Sequence, residues 1–489
     1  MSVNSSNFQA LFQKLLTIKL FGSAPPPVPF GKKPTAAGLA KLIAPGANAL
    51  PKVFQDNYST PLESGLPTLL TRLSFPGDLG VLEALTGAVY QQTQKANAPQ
   101  LHRFLAVISD LYRSFLSKKR RTAADFPLVE AIPPLAIFQH SGADGPYTIP
   151  SDDTESLFGA PVGVVSLPAV YRDHPLLWTS LSHETGGHDV IHADSQLMPE
   201  MQAGVVAALG GPSTIGDSSS LNQTQLIALL WAYWLDEAAA DIYGIMNVGP
   251  VFGHNLSVFF AALNAQASNS KTISLRTVSG FDPNDPEQSL DPHPTDLLRL
   301  SLAKGVIENL NGLSSASRAA YSADMDALIQ ICAPGATNIQ VAGMMHLGAG
   351  TRVPIQGTFP LADMQKTAYN VGKFVATQSF PSLGDHSIQD IETWDDKDEQ
   401  TAQSISAALK SGNTVVGLGD DAQLLAGANL ALLDQPNLYN NVTSLLNDAL
   451  DASFAEDPYW ATPHADKAYL RNVSLNFKPR SPLSRRAKA

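Results

Sequence analysis

The segment LIALLWAYWLDEAAADIYGIM, residues 226–246, constrains this chain more than any other. Its pattern predicts one long helix over about 222–247, opened by Asn222 or Thr224. Leu229, Leu230, Trp231, Leu235, Ala238, Ala239, Ala240 and Ile242 leave it little polar surface, so the helix belongs in a core. Yet it carries Glu237 and Asp241, spaced i, i+4 and therefore on one face. Carboxylates buried without a cation are costly, and a metal ion accounts for the pair. Glu237 could bind the ion while Asp241 accepts a hydrogen bond from an imidazole ligand. Gly244 would let a neighbouring helix come close.

The imidazoles are expected from SLSHETGGHDVIH, residues 180–192, on a helix whose first position suits Pro175. His183 and His188 are five apart, about 140° of rotation on a regular helix, so they do not share a face. A one-residue π-bulge would bring them back to one side, and such bulges occur often at functional sites. Gly186 and Gly187, each roughly 1 kcal/mol less favourable than Ala inside a helix, need a local reason, and a bulge supplies one. A competing register pairs His188 with His192, four apart, with Asp189 between them as the shorter acid. The single cysteine, Cys332, excludes an intrachain disulfide and a Cys-based zinc ribbon, leaving His and carboxylate as ligands.

With 489 residues, 44% hydrophobic and 16% charged, the chain has ample material for a globular core. A formal charge of -12 argues against a nucleic-acid binder that works by broad phosphate neutralisation. No apolar run reaches the length of a membrane span, and the N-terminal NFQALFQKLLTIKLFG reads as an amphipathic docking arm rather than a signal peptide, which leads to a cytoplasmic expectation. Residues 1–34 form that arm and a Pro-rich linker, 35–150 a helical region, 151–315 the candidate catalytic core, and 316–489 a mostly helical region with a basic tail. LysLysArgArg at 118–121 reads as a basic helix end facing water. APVGVVSLP holds a strand over 161–167, TRVPIQGTF another, and the Gly-rich VVGLGDD, without a following Lys, a turn before a helix. The fold class expected is mainly α (α+β), with a small sheet.

At these residues the sequence resembles a known family. HETGGH is similar to the H-E-x-x-G-H motif of the dipeptidyl peptidase III family of zinc peptidases, and DEAAAD resembles its second motif, E-E-x-R-A-D/E. Asp236 stands where the family has its first acid and Ala239 where it has Arg; the likeness covers about twenty residues. It implies a zincin-like core in which His183, His188 and Glu237 hold Zn2+, Glu184 is the base that activates water, and Asp241 supports a ligand from behind. Gluzincins more broadly share the Glu-x-x-x-Asp arrangement. His192 is expected to support the site or lie at the surface rather than ligate. His293 is similar in placement to the downstream His with which several zinc peptidases stabilise an oxyanion. The strand at 161–167 takes the place of the edge strand that pairs with an extended peptide in zincins.

The expected function is a zinc peptidase acting on peptide or protein substrates. Two other classes fit the same residues: a non-catalytic protein whose zinc only ties two helices together, and a metal-dependent hydrolase or oxygenase acting on a small molecule, since two His and a carboxylate also suit iron. Glu184 separates the last of these, because an oxygenase has no need of that base.

Overall fold

A computed structural model describes residues 3–21, 34–71, 76–95, 97–117, 121–122, 125–128, 132–139, 145–159, 161–215, 220–280, 288–347, 350–457 and 459–460. Most of the linker 23–34, residues 118–120 of the basic run, the middle of the loop before His293 and the basic tail lie outside them. The chain is mainly helical with small sheets, and no described helix is long and apolar enough to cross a membrane. It divides into two compact units. One gathers Lys19–Ala193, Ser411–Leu425 and Asn440–Ala489; the other gathers Met1–Ile18, Asp194–Lys410 and Ala426–Tyr439.

In the first unit the helix α1 (Ala98–Leu116) carries the run LHRFLAVISDLYRSFL, and all residues from Phe104 through Tyr112 are buried. Phe104 meets Phe138 and Trp178 edge-on, with ring centroids 5.6 and 5.2 Å apart, so α1 is the core against which the sheet and the histidine segment pack. The sheet has three strands, β1 (Leu135–Gln139), β2 (Tyr147–Ile149) and β3 (Val164–Pro168), in the order β1-β3-β2. β1 runs parallel to β3, which requires a crossover, and the chain makes it through β2 and the helix α2 (Ser151–Phe158). Gln91 closes the main chain of β1: its Nε2 donates to the Phe138 carbonyl at 3.0 Å and its Oε1 accepts from the Phe138 N–H at 2.9 Å.

The strand expected at 161–167 is β3, but it is the central strand and not an edge. Every residue of β3 is buried, its neighbours fill both sides, and the edge beside it is β2, antiparallel to it with Thr148 opposite Val165. A continuous apolar run is what a strand covered on both faces requires, but it does not say whether the strand has partners on both edges; the pairing order does.

In the second unit the N-terminal segment Ser5–Leu16 is an amphipathic helix, capped by the Asn4 side chain and burying Phe8, Leu11, Phe12 and Leu15. The long helix expected over 222–247 is two helices, α3 (Gln223–Tyr233) and α4 (Leu235–Val248). Asn222 opens α3 with a capping box to Gln225, while Trp234 leaves helical geometry at φ −82, ψ 0. The break has side-chain causes: the Tyr233 hydroxyl donates to the Leu290 carbonyl at 2.5 Å, and Trp234 Nε1 donates to the Asp291 carbonyl at 3.1 Å. Bending the helix here lets two consecutive aromatic residues anchor one loop.

Behind α4 lie α5 (Val251–Ala267), α6 (Asp296–Ile307) and α7 (Leu361–Thr377). α6 and α7 approach backbone to backbone. A Cβ at Gly305 would fall 2.1 Å from the Tyr369 carbonyl oxygen, and one at Gly372 would fall 2.2 Å from that of Leu302, so only glycine fits. The strand-like TRVPIQGTF is β6 (Arg352–Pro360), antiparallel to β5 (Asn338–His346), with the two-residue β4 (Val278–Ser279) on the other side of β5. VVGLGDD is a turn running into the helix Asp421–Asp434.

Candidate metal centre

The histidine segment is built in pieces. A short 3-10 turn from Pro175 to Leu177 and a single α-turn at Ser180–Ser182 lead into a π-wound stretch, His183–Val190, followed by Ile191–Ala193. At its end the Ile191 N–H donates to the Gly186 carbonyl, five residues back. The wider turn returns residue i+5 to the side of residue i, and the Nε2 atoms of His183 and His188 stand 3.3 Å apart with their rings nearly perpendicular, at 76°. Two nitrogen ligands at about 2.0–2.1 Å from a tetrahedral ion are themselves separated by roughly 3.3 Å, so the observed spacing suits one ion between them.

The neighbours of the two imidazoles are fixed by the same unit. Glu184 is buried, and its Oε2 accepts a hydrogen bond from the Thr148 hydroxyl on β2 at 2.8 Å. The same hydroxyl lies 3.1 Å from the Glu184 main-chain oxygen. Burial first, and then the Glu184 charge, push the phenol of Tyr171 well above its ordinary range. Asp189 faces the other way: its Oδ1 accepts from the Ser151 N–H at 2.8 Å and so caps α2. Burial pushes its carboxyl up to about 7, against the Ser151 hydrogen bond. His192 Nδ1 stands 3.5 Å from Asp152 Oδ2. In the competing register, then, the intervening acid serves a helix terminus and His192 meets an acid of α2, while the close imidazole pair is His183 with His188.

In the second unit Glu237 sits in the first turn of α4, its side chain 12% exposed, with Oε1 at 3.4 Å from His293 Nε2. His293 is held from behind. Asp291 Oδ1 accepts from the His293 main-chain N–H at 3.0 Å and pairs with its Nδ1 at 2.7 Å, while Asp291 Oδ2 accepts from Arg276 Nη1 at 2.9 Å. Arg276 in turn grips Asp296 through Nε at 3.0 Å and through its main-chain N–H at 3.1 Å. Burial opposes the imidazolium, but Glu237 and Asp291 outweigh it and raise the pKa of His293. The carboxyl of Asp291 is drawn well below the usual range, as His293 and Arg276 overcome its burial. Asp241 forms a bidentate pair with Arg299 of α6, Oδ2 with Nε and Oδ1 with Nη2, both at 2.5 Å.

Four of these residues escaped the sequence reading. Arg299 left a signal, since one cation in the apolar run LLRLSLA requires a buried acid as partner. Asp291 left a weaker one in lying two residues before His293. Nothing in the sequence marks Thr148 or Arg276.

Within the first unit the facing Nε2 atoms of His183 and His188 offer two nitrogen ligands to a metal ion. Two imidazoles and a carboxylate form a donor set that suits zinc and several other first-row ions. No protein-family model, no curated protein and no solved structure matches the chain.

Proposed function

We propose that the chain is a zinc-dependent peptidase of the gluzincin kind, with His183, His188 and Glu237 as the ligands. The observation that carries this reading is the π-wound HETGGH segment, which sets two Nε2 atoms 3.3 Å apart beside a buried glutamate. An ion bound there supplies Lewis acidity, polarising a carbonyl and acidifying a water. The remaining chemistry belongs to the chain. Glu184, hydrogen-bonded through Oε2, takes the proton of the attacking water and passes it to the departing amine. His293 donates from Nε2 to the oxygen that gains charge, and Asp291 and Arg276 fix the direction of that donation. With β3 in the centre of its sheet, pairing with an extended substrate falls to β2, next to Glu184.

A purely structural metal site or an oxygenase has no use for a buried carboxylate beside its first ligand, and on that ground the peptidase reading is preferred. It is tested by incubating the zinc-loaded protein with a random peptide library, with and without a chelator. Cleavage that stops on chelation and returns with zinc is the expected result. Cleavage indifferent to the chelator, or none at all with zinc present, overturns the proposal.

A further inference from the structure

We infer that Thr148 is a positioning residue for Glu184, holding its carboxylate by Oε2 so that Oε1 is the oxygen set to act as the base. The inference rests on the proposed role of Glu184 and adds a residue that neither the motif nor the family resemblance contains. Thr148 lies on β2, buried, and its hydroxyl has one proton and two acceptors on the same residue: Glu184 Oε2 at 2.8 Å and the Glu184 main-chain oxygen at 3.1 Å. The nearer acceptor, the side-chain carboxylate, takes the proton. That fixes the rotation of the carboxylate and leaves Oε1 outside this hydrogen bond.

The second acceptor, the Glu184 main-chain oxygen 3.1 Å away, belongs to the helical segment while the hydroxyl belongs to the strand, so the same side chain keeps strand and base in register. Burial makes this useful, because little water reaches Glu184 to do the same work.

The test compares Thr148→Val and Thr148→Ser with the parent in the zinc-loaded protein. Thr148→Val is close to isosteric and removes only the donor. The expected result is a kcat about tenfold lower with KM and bound zinc unchanged, and recovery to within about twofold in Thr148→Ser, in keeping with the loss of one hydrogen bond to a charged group. A second readout does not need activity. In the metal-free protein the infrared carboxylate band assigned by difference against Glu184→Gln should shift in Thr148→Val and return in Thr148→Ser. A parent that cleaves peptides while Thr148→Val matches it in kcat overturns this inference alone. Equal impairment of the Val and Ser variants, with zinc lost, also overturns it by making the residue structural. A zinc-loaded parent that cleaves nothing removes the peptidase reading and this inference with it.

Discussion

Glu184→Gln is expected to lower kcat for peptide hydrolysis about 10²–10⁴-fold while the protein keeps its metal and its stability. Gln preserves the shape of the side chain, and its amide oxygen can still accept from the Thr148 hydroxyl that now meets Oε2 at 2.8 Å. What it cannot do is take a proton from water. Because Glu184 is adjacent to the proposed ligand His183 and is not itself proposed as a ligand, metal content and turnover should separate cleanly in this variant. Steady-state kinetics on a cleaved library peptide, beside elemental analysis of the same preparation, measures both. Undiminished turnover would remove Glu184 from the mechanism, and loss of metal would make it part of the coordination instead.

The second large effect is on stability. Arg299→Met is expected to cost about 3–5 kcal/mol, because it leaves the Asp241 carboxylate buried without its guanidinium. Both side chains are almost wholly enclosed, at 3% and 1% exposure, and the guanidinium also lies over the Phe260 ring at 4.5 Å. The pair joins α4, one turn beyond Glu237, to α6, so its loss loosens the helix that carries Glu237. Pairing the change with Asp241→Leu should return part of the loss, since an apolar pair of similar volume has no charge to desolvate. Chemical denaturation of the single and double variants measures this. A single variant within about 1 kcal/mol of the parent would show that the ion pair is dispensable.

Much of this arrangement is legible in the sequence. Two glycines between histidines five apart required a local winding other than α, and the stretch is wound as a π-helix. The apolar surroundings of Glu237 and Asp241 indicated buried acids, explained there by a metal with Asp241 accepting from a ligand imidazole; the cation that the structure sets against Asp241 is Arg299. Continuous features were less legible. The single helix over 222–247 divides at Trp234 because the loop at Leu290 and Asp291, more than fifty residues away, offers carbonyls to two aromatic side chains, and no local pattern records that. β5 was missed because NIQVAGMMH alternates in burial while its Ala, Gly and Met weaken the contrast that marks a strand. β3 was recognised as a strand yet placed at the rim, since position within a sheet depends on partners that a nine-residue window does not contain.

The most direct test of the metal centre is elemental analysis of the purified protein beside His188→Ala and Glu237→Ala. The account predicts about one zinc per chain in the parent and its loss in both variants. A parent that holds no metal after zinc is supplied, or variants that keep it, would contradict the assignment of His183, His188 and Glu237 as its ligands.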